Sequence, residues 1–126
     1  MDEIKKWILK ADNDLKAAEI MLFEKEPVTD VICFHSQQAV EKYLKAYLVI
    51  KKIEFRKTHD IAELLKLCMS RDRDFEVLND KGIIKLSVYA TELRYPEYFY
   101  IPTVEEAKEA IEKAKFVKEF VMKKME

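Results

Sequence analysis

The sequence predicts an all-α protein, one domain over residues 1–126 folded as an antiparallel up-and-down bundle of four to five helices. Three observations point there. Apolar residues recur at three- and four-residue steps along most of the chain. One Gly and three Pro leave little material for turns. No segment alternates apolar and polar residues over a useful length, so strands have no signal.

The first helix is expected over about Asp2 to Glu24, where Ile4, Ile8, Ala11, Leu15, Ala18 and Leu22 form one stripe and Glu26-Pro27 ends it. The second is expected over about Thr29 to Lys52, capped by Thr29 or Asp30. It is apolar around most of its circumference, which places it at the centre of a bundle or in an interface. Tyr43, Tyr47 and Leu48 are the candidates for an apolar excess that a second copy would cover. After the loop KKIEFRKTH, Asp60 with Glu63 reads as a capping box for a third helix on Ile61, Leu64, Leu65 and Cys68. The polar stretch SRDRDFEVLND reads as a turn, with Phe75 and Leu78 packing down. A fourth helix is expected over about Lys81 to Leu93, with Ile83, Leu86, Ala90 and Leu93 facing in. Pro96 and Pro102 bracket an aromatic loop, and Thr103 with Glu106 makes a second capping box for a last helix to about Lys124.

Composition excludes several classes of function. Apolar residues at 49% and a net charge of -1 rule out disorder, and 23 Lys+Arg against 24 Asp+Glu give no global field for nucleic acid. Any anion site is therefore a local cluster. Cys33 and Cys68 sit in apolar runs without metal or redox spacing and read as small core residues. Charges throughout the first fifteen residues leave no signal peptide, and no apolar run approaches the ~20 residues of a membrane span. A cytoplasmic protein is expected. A single Gly excludes a Walker loop or a dinucleotide turn, and two histidines without HExxH exclude the common zinc hydrolases. No cofactor and no metal are expected.

Three groups of polar residues stand where chemistry is conceivable. His35, Gln38, Lys42 and Lys45 step by three, four and three, which puts them on one face of the second helix. That face is either a phosphate-binding surface or an ordinary solvent face with Glu41 and Lys45 paired at i,i+4. Arg94 borders the expected buried face of the fourth helix, with Tyr95, Tyr98 and Tyr100 following. Arg94 is read either as holding a phosphate while a tyrosine stacks on a base, or as satisfying helix carbonyls beneath an aromatic lid. An Arg close to apolar surface calls for an anionic partner, Asp14 or Glu41 within the chain or a phosphate outside it. Asp14, on the first helix, can orient one of the cations. His59, before the third helix, is read either as an anion donor at a helix N-terminus or as a local loop contact.

The strings ADNDLKAAEIML, CFHSQQAVEKYLKAYLV, KTHDIAELL and LRYPEYF, in that order, resemble the HEPN family, named for higher eukaryotes and prokaryotes nucleotide-binding. The resemblance covers nearly the whole chain, and the Gln-Gln-Ala-x-Glu-Lys helix is its most specific part. It implies a helical bundle, often a homodimer, and a small nucleotidyltransferase as a frequent partner in toxin–antitoxin or nucleotide-modifying pairs. Many family members are metal-independent ribonucleases that use an Arg followed four to six residues later by a His. No His follows Arg94, so that motif is absent.

The leading expectation is a nucleotide- or nucleic-acid-binding module acting with a nucleotidyltransferase. Lys42, Lys45, Arg94, Tyr95, Tyr98 and His59 are its binding residues, supported by Asp14, His35, Gln38 and Glu41. The alternatives are a ribonuclease with His59 as general acid–base and Arg94 on the phosphate, and a purely structural interaction protein.

Overall fold

The computed structural model describes residues 1–126, and the chain is helical throughout, with no strand. The α-helices are α1 (Glu3–Leu22), α2 (Thr29–Ile50), α3 (Ile61–Arg71), α4 (Glu76–Asp80) and α5 (Val104–Lys124). Short 3-10 segments cover Arg73–Phe75, Ile83–Tyr89, Glu92–Arg94 and Pro96–Tyr98.

The helix starts follow local capping chemistry, with three departures from expectation. Asp2 caps α1 by accepting from the Lys5 amide, and Thr103 caps α5 by accepting from the Glu106 amide. Asp60 caps α3 through the amides of Ala62 and Glu63. Neither expected capping box closes, because both glutamates are engaged elsewhere. Glu63 pairs with Arg56, and Glu106 accepts from the hydroxyls of Tyr89 and Tyr100. At α2 the cap position falls on Val28, which has no side-chain acceptor, and Thr29 is already helical and buried.

The segment expected as a fourth α-helix is the main correction. It is the 3-10 stretch Ile83–Tyr89, entered through Gly82 in the left-handed region at φ 74°. A 3-10 helix repeats every three residues. Ile83, Leu86 and Tyr89 follow that period, the first two being fully or almost fully buried. Beyond Ala90 the register read from an α-period no longer holds, and Arg94 is exposed rather than beside the buried face.

α2 is the axis of the molecule. It touches α1, α5, α3 and residues 83–89, and 15 of its 22 residues are buried. α1 runs antiparallel to it, with Trp7 near Lys45 and Asp14 near His35. α1 is antiparallel to α5 as well, with Asp12 facing Lys118 and Glu19 facing Lys115. Between α2 and α5, loop 51–60 brings the chain back beside α2, and α3 packs across it. Cys68 approaches the Leu44 carbonyl, and the Phe75 ring lies 4.5 Å from Tyr47 and 4.9 Å from Phe120.

The encircled position of α2 also removes the ground for expecting a second copy over it. Tyr43, Tyr47 and Leu48 are buried within one chain. Cys33 and Cys68 are both fully buried free thiols, and burial pushes the Cys33 thiol up to about 12. Phe75 joins α2, α5 and the segment after α3. Its truncation to Ala is expected to destabilise the fold by about 3–5 kcal/mol, read as a lowered urea midpoint with unchanged helicity below the transition.

Candidate functional site

The polar face of α2 divides into two clusters with different surroundings. The inner one centres on Glu41, which is 2% exposed. Its carboxylate accepts from Lys45 Nζ at 2.6 Å, from Gln37 Nε2 at 3.0 Å and from Gln38 Nε2 at 3.2 Å. His59 Nδ1 approaches it at 2.9 Å. Lys45 also donates to the Thr58 carbonyl, and its ammonium lies over the rings of Trp7 and Phe55. Burial alone would raise the Glu41 carboxyl, but the hydrogen bonds from Lys45, His59 and Gln37, with the charge of Lys45, outweigh it and hold it below its ordinary value. No buried side-chain nitrogen or oxygen in this cluster lacks a hydrogen-bond partner.

Lys45, Gln38 and Glu41 are thus neither a solvent face nor a phosphate-binding surface. They fasten the loop before α3 to the middle of α2. His59 belongs with them as a loop contact, because its ring is bound to Glu41 and its carbonyl accepts from Gln37.

The outer cluster overlaps the inner one along α2, with His35 before Gln37 and Lys42 after Glu41, and it turns to Asp14 of α1. Asp14 on α1 is 13% exposed, and its two oxygens are divided between two partners on α2. Oδ1 meets His35 Nδ1 at 2.8 Å, and Oδ2 accepts from Lys42 Nζ at 2.5 Å. Asp14 thus pairs with one lysine of α2, Lys42, and hydrogen-bonds the His35 ring. The pairing occupies the Lys42 ammonium and leaves the His35 Nε2 without a protein partner.

His35 opens onto a cavity of about 280 Å³ between the start of α2 and residues 89–102. Arg94 lines the same cavity. The guanidinium forms no ion pair with Asp14 or Glu41, the partners expected for it. Instead its carbon lies 4.6 Å from the centroid of the Phe34 ring, whose edge packs against His35. Asp30 sits at the rim, and Tyr89 and Tyr100 form the wall. Both hydroxyls are given to Glu106, which ties the aromatic strap to α5.

Tyr95 and Tyr98, the expected stacking residues, are more than half exposed and do not line this cavity. His59 does not line it either, so the histidine that shares a cavity with Arg94 is His35. Phe34, Tyr89, Asp30 and Glu106 were missed as site residues. Tyr89 was hidden by the α-helical period assumed for its segment. Phe34 carried a signal, being a large ring next to the polar His35. No group of three or more His, Cys, Asp and Glu side chains is arranged to hold a metal ion.

The Glu41 cluster gives a pH-dependent expectation. Its carboxyl titrates below its ordinary value of 4.5 in the folded chain. Its pairing therefore contributes fully above that value and is lost as pH falls through the lower, folded value. Glu41→Gln leaves the Lys45 charge buried without a counter-charge, and a loss of about 3–5 kcal/mol at pH 7 is expected. Urea melts between pH 7 and pH 3 should show a steeper acid decline for the native chain than for the variant.

Comparison with known proteins agrees with this architecture. The family model of the HEPN domain matches residues 4–125. The crystal structure of ST0689, an archaeal HEPN homologue, superposes with a TM-score of 0.76 at 25% identity, covering 100% of both chains. No curated protein matches the chain. No helix is long and apolar enough to cross a membrane. A match over nearly the full length, on a bundle with the same helical organisation as a solved homologue, leads to one conclusion: the chain belongs to the HEPN family.

Proposed function

We propose that this HEPN domain is a nucleotide- or nucleic-acid-binding module whose ligand occupies the cavity between His35 and Arg94. The observation that carries the reading is Arg94 itself. An exposed guanidinium without any carboxylate partner is laid over Phe34, at the mouth of a cavity that an unpaired imidazole nitrogen also lines. Five fixed donors suit a phosphate, and stacking on a ring holds the guanidinium plane in place without consuming those donors. The aromatic wall supplies a surface for a base.

This differs in detail from the reading of the sequence. Arg94 keeps its phosphate role, and His35 moves from a supporting to a contacting position. Lys42 acts through Asp14. Lys45 and His59 drop out, as do the rings of Tyr95 and Tyr98, and Tyr100 takes their place.

The same reading includes a homodimer and a small nucleotidyltransferase as partner, in a toxin–antitoxin-like or nucleotide-modifying pair. The apolar surface available to either lies on the strap, where Phe99 is 81% exposed and Ile101 55%. Light scattering at tens of micromolar is expected to give the mass of two chains.

Arg94→Ala tests the site. Because Arg94 is exposed, its stacking is worth about 0.5–1 kcal/mol at most, and the urea midpoint should barely move. Affinity for nucleotides and short oligoribonucleotides, read by fluorescence anisotropy, is expected to fall at least tenfold, with a weaker salt dependence. Unchanged affinity for every nucleotide and oligoribonucleotide that the native chain binds would remove Arg94 from the site.

A further inference from the structure

The two nitrogen-bearing side chains that line the cavity, His35 and Arg94, differ in kind: a guanidinium keeps its charge, whereas an imidazole can gain or lose a proton. We propose that His35 and Arg94 together form a subsite for a terminal phosphate monoester, and that His35 takes up a proton when this phosphate enters. The proposal rests on the nucleotide-binding reading and specifies the ligand's end group and its coupling to pH.

The hydrogen bond to Asp14 sets the chemistry. A carboxylate accepts only, so at 2.8 Å the neutral imidazole donates from Nδ1 and carries its lone pair on Nε2. In that form Nε2 is an acceptor and opposes a phosphate oxygen, itself an acceptor. After protonation Nε2 becomes a donor, and the new positive charge lies next to Asp14, which stabilises it. Binding of an anion and binding of the proton therefore favour each other. Balance is simple: one proton moves from solvent to Nε2, and no covalent bond changes.

The surrounding charges show why this proton matters. From α1 the facing group is Asp14, and from α2 they are Lys42 and, at the rim, Asp30. From the segment after 89 it is Arg94, and α5 contributes Glu106, capped by the hydroxyls of Tyr89 and Tyr100. The cations Lys42 and Arg94 are thus offset by three carboxylates while His35 is neutral. Protonation of His35 adds a positive charge and a donor at Nε2, which makes the cavity more hospitable to an anion. A monoester gains most from it, since its second ionisation falls near pH 6 and gives a dianion. A diester keeps a single charge. The cavity of about 280 Å³ is also of a size for one nucleotide end rather than a length of chain.

The probes are adenosine 5′-monophosphate and its phosphate methyl ester, titrated calorimetrically at pH 6.5 and pH 7.5 in buffers of different ionisation enthalpy. The native chain is expected to bind the monophosphate at least tenfold more tightly than the ester at pH 6.5. Monophosphate binding should be accompanied by proton uptake, and its affinity should be lower at pH 7.5 than at pH 6.5. His35→Gln, checked for native melting, keeps a polar group without a titrating one. It should lose the proton uptake and bind both probes alike. Asp14→Asn should shift the pH dependence to lower pH. Proton uptake unchanged in His35→Gln overturns the proposal, as does equal binding of the two probes by the native chain. If the native chain binds the ester or short oligoribonucleotides but not the monophosphate, the subsite is wrong and the nucleic-acid reading survives. If it binds none of them, both fall.

Discussion

A helix surrounded by other elements cannot turn its polar side chains to water, and α2 is such a helix. It carries Gln37, Gln38, Glu41 and Lys45 into positions that are almost fully shielded. Leaving any of these unpaired would cost several kcal/mol, so each must meet a partner on a neighbouring element or within the same face. The rest of the bundle is arranged around that demand. Loop 51–60 lies against α2 because Thr58 and His59 complete the shell of Lys45 and Glu41. Trp7 and Phe55 cover the Lys45 ammonium and bring the start of α1 to the same place. These contacts specify one packing among several that an apolar core alone would permit.

The outer cluster shows what happens when the same helix reaches the edge of the bundle. Asp14 satisfies Lys42 and one side of His35, yet the other side of His35 faces a cavity instead of a protein group. In the same cavity Arg94 rests on an aromatic face and forms no ion pair with a carboxylate. A cluster whose buried polar atoms are all paired and one that opens onto a cavity thus lie side by side on α2. The first is explained by folding alone. The second retains donors that folding does not use, which is the physical ground for placing the ligand there.

The strap from Arg94 to Pro102 owes its position to Glu106. In a capping box this glutamate would return to the backbone at Thr103. Accepting from Tyr89 and Tyr100 instead, it joins α5, the 3-10 segment and the strap into one wall. Tyr100 is thereby held at the cavity, while the side chains of Tyr95, Tyr98 and Phe99 are left toward solvent.

The sequence by itself determined the helical class, the family and the buried stripes of α1, α3 and α5, because a 3.6-residue period in a chain with one Gly has no other stable expression. It offered Asp14 as a carboxylate for Lys42, Lys45 or Arg94, and the structure pairs it with Lys42. Only the tertiary structure decided which polar residues of α2 are buried. His35, Gln38, Lys42 and Lys45 share one face by spacing, but spacing does not say that loop 51–60 folds back over its lower half and leaves the upper half open. The 3-10 form of residues 83–89 was equally hidden, because Ile83 and Leu86 fit a three-residue and a 3.6-residue period alike. The 3-10 segment ends at Tyr89 and the chain turns at Thr91 before Glu92–Arg94, which leaves Arg94 exposed at the cavity it shares with His35.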